Sequence, residues 1–127
     1  MQRLRTAVIA VFLVLSATHS AHAITCSEIR DGKLVGSDGQ FLGEIIDALY
    51  PNSVFNRFGV YGSKVHETSI WNDFSLYGAT YSDLSAFALF ASAPPRILDR
   101  DGKEVGRLTT NKAFRLRMSP SQLRSCS

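Results

Sequence analysis

The chain has 127 residues, of which 45% are hydrophobic and 20% charged, with 14 basic against 11 acidic side chains and a formal net charge of +3. That length suits one modest domain with a single small core. No apolar run approaches the roughly 20 residues that a membrane-spanning helix needs, so no transmembrane segment is expected.

Residues 1–23 read as an export signal: Arg3 and Arg5 make a basic start, residues 7–15 an apolar run, and Ala21-His22-Ala23 a small-x-small cleavage site. The predicted domain is then residues 24–127, and the loss of Arg3 and Arg5 leaves twelve basic against eleven acidic side chains. Export points to the periplasm or the outside of a bacterial cell and argues against nucleic acid as a partner. Lipidation at Cys26 fits poorly, because such a site wants a small residue before the cysteine and Thr25 is branched. Cys26 and Cys126 stand near the two ends in a disulfide-permissive compartment, and we expect a bond that joins the termini.

Three segments share an Asp-Gly turn signal, at Asp31-Gly32, Asp38-Gly39 and Asp101-Gly102. Glycine takes positive φ freely and Asp tolerates the left-handed region, so each should be a turn entering a strand. The second predicts strands at 33–36 and 40–45, the third at 96–99 and 104–109. Residues 44–50 have some helical character, but Pro51 stops any helix there, and a strand leaving the hairpin fits equally.

Between the hairpins, residues 56–71 and 72–87 are two copies of one 16-residue unit, matched at Asn56/Asn72, Phe58/Phe74, Tyr61/Tyr77, Gly62/Gly78 and Ser69/Ser85. The register extends outwards to Ser53-Val54-Phe55 and to Phe90, so the array covers about 53–95. Sixteen residues are too few for a propeller blade of about 40. A tight turn between two short strands or extended arcs is the expectation, and Pro94-Pro95 ends the array. A repeat describes how a core is stacked and leaves the partner open.

Beyond the last hairpin, Phe114, Leu116 and Met118 alternate with Arg115 and Arg117, which predicts a half-buried strand within 111–118 with both arginines facing solvent. Ser119 followed by Pro120 is a cap with proline at the first helical position, enough for one short turn leading to Cys126. Charge is uneven: residues 24–95 carry four basic and eight acidic side chains, whereas residues 96–127 carry eight and three. The basic segment either complements the acidic body within one fold or offers a patch to an anionic envelope polymer through Arg115, Arg117 and Arg107.

The Asp38–Ile45 strand pattern, the Asn-x-Phe-Gly-x-Tyr-Gly-Ser unit from Asn56 to the Ser-Ile-x-Asn at Asn72, the Ala-x-x-Pro-Pro-x-Ile segment at 91–97 and the second Asp-Gly strand together resemble a group of uncharacterised bacterial exported proteins. The resemblance covers about 38–111, with Ala88 standing where the pattern has a third Asn. It implies architecture and compartment only, and no activity or cofactor.

Chemistry-bearing constellations are thin. His66 is the one histidine after the leader, no nucleophile-elbow sequence exists, and no second histidine completes a zinc set, so no catalytic residue, metal or cofactor is assigned. Asp73 with Asp83, or Asp99 with Asp101, have the residue type of a glycosidase pair but read as turn caps. The aromatic residues Tyr61, Trp71, Tyr77 and Tyr81, with Phe58, Phe74, Phe87 and Phe90, are candidate binding residues if exposed as ladders and core if buried; we take the repeat-matched Phe and Tyr as core.

The expected molecule is therefore a mainly β, small single domain of hairpins flanking a short turn-rich array, its termini joined by a disulfide. Its expected role is non-enzymatic: an exported envelope or secreted binding or structural protein. A protein-binding effector or inhibitor is the alternative, and a hydrolase with an unrecognised site a distant third. Cleavage after Ala23 should give a mature chain starting at Ile24, which intact mass of the exported protein checks; any other start refutes the assignment.

Overall fold

The structure is a computed structural model that describes residues 7–13 and 23–127. The export-signal reading falls largely on residues 1–6 and 14–22, outside the described ones. The elements are α1 (Cys26–Ile29), β1 (Lys33–Val35), β2 (Phe41–Glu44), β3 (Arg96–Leu98), β4 (Glu104–Leu108), β5 (Arg117–Met118) and α2 (Pro120–Arg124). They build one five-stranded sheet in the order β2-β1-β3-β4-β5, antiparallel except where β5 runs parallel to β4.

Asp-Gly chemistry makes both hairpins. At the β3–β4 turn the Asp99 carboxylate accepts from the backbone N–H of Asp101 and of Lys103, each at 2.9 Å, and Gly102 adopts φ 83°. At the β1–β2 turn Asp38 accepts from the Gln40 N–H at 3.1 Å and Gly39 adopts φ 89°. The first Asp-Gly pair instead turns the chain out of α1 into β1, with Asp31 itself at φ 63°. A side chain at Gly32 would collide with the carbonyl oxygen of Leu98 in β3, so that position must be bare.

The array between β2 and β3 contains neither paired strands nor extended arcs, contrary to the expectation. It is rolled from four-residue turns, each closed by an N–H bonded to the carbonyl three residues before: Asn56 donates to Ser53 O, Gly59 to Asn56 O, Asn72 to Ser69 O, Ser75 to Asn72 O, and Ser85 to Ser82 O. Ser and Asn side chains compete with ladder bonds for the backbone and favour such turns. Each 16-residue pass makes one coil, here called a rung. The first is stitched to the free edge of β2, where Glu44 N–H donates to Asn52 O and Val54 N–H to Glu44 O. The third is stitched to the far side, where Leu108 N–H donates to Pro95 O and Thr110 N–H to Ala86 O.

One core fills the space between sheet and array. Val54, Ile70 and Ala86, 16 residues apart, are fully buried against a cluster that includes Leu34, Leu42, Ile97 and Leu108 from the sheet, Ile29 from α1 and Leu123 from α2. The predicted strand within 111–118 shrinks to two residues. Asn111 turns the chain first, accepting from Ala113 N–H with its carbonyl while its amide donates to Ala91 O. The C-terminal helix forms as its sequence demands, with Ser119 and Gln122 making a reciprocal capping box and Pro120 at the first position.

Cys26 and Cys126 are bonded, with Cα atoms 5.4 Å apart and a sequence separation of 100. The bond ties α1 to the segment just beyond α2. Loop closure of this length restricts the unfolded chain, and replacing both cysteines by serine should cost about 2–4 kcal/mol. The denaturant midpoint of the double variant checks this; an unchanged midpoint contradicts it.

Candidate functional site

Three register positions set each rung. Ser53, Ser69 and Ser85 are fully buried, and each hydroxyl accepts the N–H two residues on, from Phe55 (3.0 Å), Trp71 (3.2 Å) and Phe87 (3.0 Å). Ser53 and Ser69 also donate across the coil to the carbonyls of Ile46 (2.7 Å) and Tyr61 (3.2 Å). Asn56 and Asn72 then brace the next corner from both ends of the amide. Their oxygens accept from Phe58 and Phe74 N–H, both at 3.0 Å, and their amide nitrogens donate to Tyr50 O (3.1 Å) and His66 O (2.9 Å). At Gly62 and Gly78 the chain returns over the Asn56 and Asn72 carbonyls so closely that any Cβ would strike them.

The asparagine corner carries Phe58 and Phe74, two positions later, to the outside, and Phe90 stands at the same register with Ala88 in place of the asparagine. Phe58, Phe74 and Phe90 are 102%, 91% and 88% exposed. Burial, like sequence, follows the 16-residue register, and successive rungs stack: Trp71 and Phe87 are register equivalents whose rings meet edge to face at 6.2 Å. These three phenylalanines hold one register position on successive rungs and stand exposed, as do Val60, Leu76, Tyr81 and Leu89, of which Tyr81 and Leu89 line a pocket with Phe90. This apolar ridge is the candidate functional site.

Of Tyr61, Trp71, Tyr77 and Tyr81, singled out in the sequence beside the phenylalanines, only Tyr81 is exposed. Tyr77 is core, its hydroxyl donating to Asp38 at 2.6 Å. Tyr61 is half-buried, edge-on to Phe41 at 4.9 Å. The two tyrosines nonetheless do related work, each ring lying over a glycine of the β1–β2 hairpin: an added Cβ would meet Tyr61 at Gly43 (2.8 Å) and Tyr77 at Gly36 (3.2 Å). Trp71 is half-buried and donates from Nε1 to Val54 O at 2.7 Å, locking one rung to the previous one. The expectation that the repeat-matched phenylalanines are core is corrected for Phe58 and Phe74, because the asparagine corner turns them away from it.

The basic candidates do not share one solvent face. Arg107 donates to Ser37 Oγ (2.7 Å) and Pro94 O (2.9 Å), lies 3.4 Å from Glu104 and sits over the Phe114 ring. Arg117 folds back to the carbonyl of Phe114 at 2.8 Å. Arg115 alone of the three is exposed. The alternation that suggested an outward arginine pair is lost because the chain bends at Arg115 and Leu116 and becomes a strand only at Arg117.

His66 is exposed, and Asp99 is used by its own turn. Among the described residues no three His, Cys, Asp or Glu side chains converge as a metal site would need. In comparison with known proteins, the chain matches no family profile, no curated sequence and no solved structure at a significant level. The exposure of these rings was not expected from the sequence, although the Asn two residues before Phe58 and Phe74 was an available signal, Phe90 having Ala88 there instead: an Asx turn reverses the chain where an extended arc would have tucked that ring inside.

The Tyr77–Asp38 bond has a pH signature. Tyr77 donates to Asp38, which holds the carboxyl below its usual 3.8, while burial and then the Asp38 bond push Tyr77 up to about 12. The tyrosine contribution is whole below its ordinary value near 10 and is lost as pH rises from there towards 12. The carboxylate contribution is present above 3.8 and is lost as pH falls through the lowered folded value. Tyr77→Phe should cost about 1–3 kcal/mol and flatten both ends of the stability–pH curve. Tyr77→Ala should cost about 3–5 kcal/mol and half-buried Tyr61→Ala less. Denaturant unfolding across pH checks the set, and an alkaline limb unchanged by Tyr77→Phe refutes it.

Proposed function

We propose that this protein is an exported, non-enzymatic binding domain that presents the ridge of Phe58, Phe74 and Phe90 to a partner protein. The observation that carries the reading is three phenylalanines, one per rung, almost wholly exposed, with Phe58 and Phe74 set there by the Asn56 and Asn72 turns. A single exposed apolar residue needs no explanation, but exposed rings repeated at one register position of a stiff array suit an interaction surface. Burying one such ring is worth about 1.5–3 kcal/mol, and aromatic anchors on a rigid support dominate protein interfaces. The leader pattern and the disulfide support a periplasmic or secreted site of action.

Charge around the ridge favours a protein over an anionic envelope surface. Arg57 precedes the first phenylalanine, but Asp73 precedes the second and Leu89 the third, and exposed Asp83 belongs to the same array. A bilayer or polymer of negative charge would be repelled at the middle rung. A folded partner accommodates mixed charge at the rim of an apolar patch.

The test compares capture by the wild-type domain, by Phe58→Ser/Phe74→Ser/Phe90→Ser and by a Lys112→Ser control, from envelope and culture-fluid fractions. The triple variant should keep its thermal midpoint, since its side chains touch little. One protein recovered near 1:1 with wild type and control but lost with the triple variant is the expected result. Equal recovery by all three overturns the proposal, and a wild-type dimer abolished by the triple variant reassigns the ridge to self-association.

A further inference from the structure

A second surface lies at the corner of the first rung, where the array meets α2. A cavity of about 620 Å3 is lined by Arg57, Gly62, Ser63, Lys64, Val65 and Arg124. Three cationic side chains and no carboxylate face it. Ion pairs join Arg100 to Asp31 and Arg107 to Glu104, and among the described residues Arg57, Lys64 and Arg124 have no counter-ion within ion-pair distance. Arg124 is held in place, its guanidinium stacked on the indole of Trp71 with Cζ 3.8 Å from the ring centroid. Trp71 is itself fixed by its bond to Val54 O. Ser63 accepts from Val65 N–H at 3.1 Å, which leaves its own hydroxyl hydrogen free to donate.

We infer that this cavity is an anion site for a phosphate group, gripped by Arg57 and Arg124, neutralised further by Lys64 and reached by the Ser63 hydroxyl. Planar guanidinium groups match the spacing of phosphate oxygens, and a stacked guanidinium loses little freedom on binding. Gathering three unpaired cations opposes folding, and a multiply charged anion relieves that repulsion. Partial burial, and after it the charge of nearby Arg57, lower the Arg124 pKa. The site uses segments far apart in sequence, and Arg57, beside Phe58, stands at its border with the phenylalanine ridge. The shared chemistry, a phosphate oxyanion, is available from a free phosphate compound or from a lipid headgroup.

Trp71 is the chain's single tryptophan, and its contact with Arg124 makes it a built-in reporter. Inorganic phosphate titrated into the full domain should change its emission saturably, whereas sodium chloride at matched ionic strength should not. Arg57→Gln/Lys64→Gln should raise the midpoint about tenfold or more with the Trp71–Arg124 stack intact, since each charged hydrogen bond contributes substantially. Arg57→Lys/Lys64→Arg, which keeps both charges, should restore most of the affinity. Both positions are exposed, so these variants should fold, and circular dichroism confirms it. Co-sedimentation with phosphatidylglycerol but not phosphatidylcholine vesicles assigns the phosphate to a lipid headgroup; response to inorganic phosphate without vesicle binding assigns it to a free compound. A response that is linear, reproduced by chloride, or unaltered in Arg57→Gln/Lys64→Gln overturns the site.

Discussion

The constraint on which this molecule depends is that a buried, irregular backbone must still satisfy its polar groups. Orphaned buried N–H and C=O groups are costly, and the array has no strand ladder to absorb them. Ser53, Ser69 and Ser85 answer for the interior of each rung, accepting from one neighbour and, in the first two, donating across the coil. Asn56 and Asn72 answer for the corners. These polar side chains hold the turns at the spacing that lets Val54, Ile70 and Ala86 meet the sheet.

From that constraint the outer surface follows. An asparagine that accepts from the residue two positions on has turned the chain there, so the side chain at that position leaves the coil. Repeating the device at one register sets Phe58 and Phe74 outward from a stiff support. The same rungs close against the sheet through Tyr61 and Tyr77 over the glycines of the β1–β2 hairpin, and through the stitches at β2 and beyond β4. The disulfide then draws α1 and the C-terminus together, placing α2 where Arg124 covers Trp71. Core, ridge and cationic cavity are thus three faces of one packing arrangement.

Much of this was legible because it is local. Asp-Gly marks a hairpin when Gly can take positive φ, and Gly39 and Gly102 do so. Ser119-Pro120 marks a helix start because the cap and the missing N–H are properties of adjacent residues. The repeat register was visible as residue identity. The handling of the array backbone was not, because Ser and Asn can cap a turn or hydrogen-bond along an arc, and the choice depends on which carbonyl lies across the coil. The alternation from Phe114 to Met118 misled for the same reason: Asn111 finds Ala91 O, a partner 20 residues away, and turns the chain before a strand can run.

By itself, then, the sequence determined the hairpins, the capped C-terminal turn, the 16-residue period and the cysteines available for bonding, all set by short-range dihedral preference or by residue type. Only the tertiary structure decided which aromatic residues are core and which are surface. Equivalent positions in a repeat have related surroundings, but whether a side chain faces the sheet or the solvent depends on how the array seats against β2 on one side and beyond β4 on the other. It also decided that Arg57, Lys64 and Arg124 share one cavity, while Arg107 and Arg117 are taken up by carbonyl groups of their neighbours. Charge counts along a chain carry no information about such convergence, because the distances that govern electrostatics are fixed by packing.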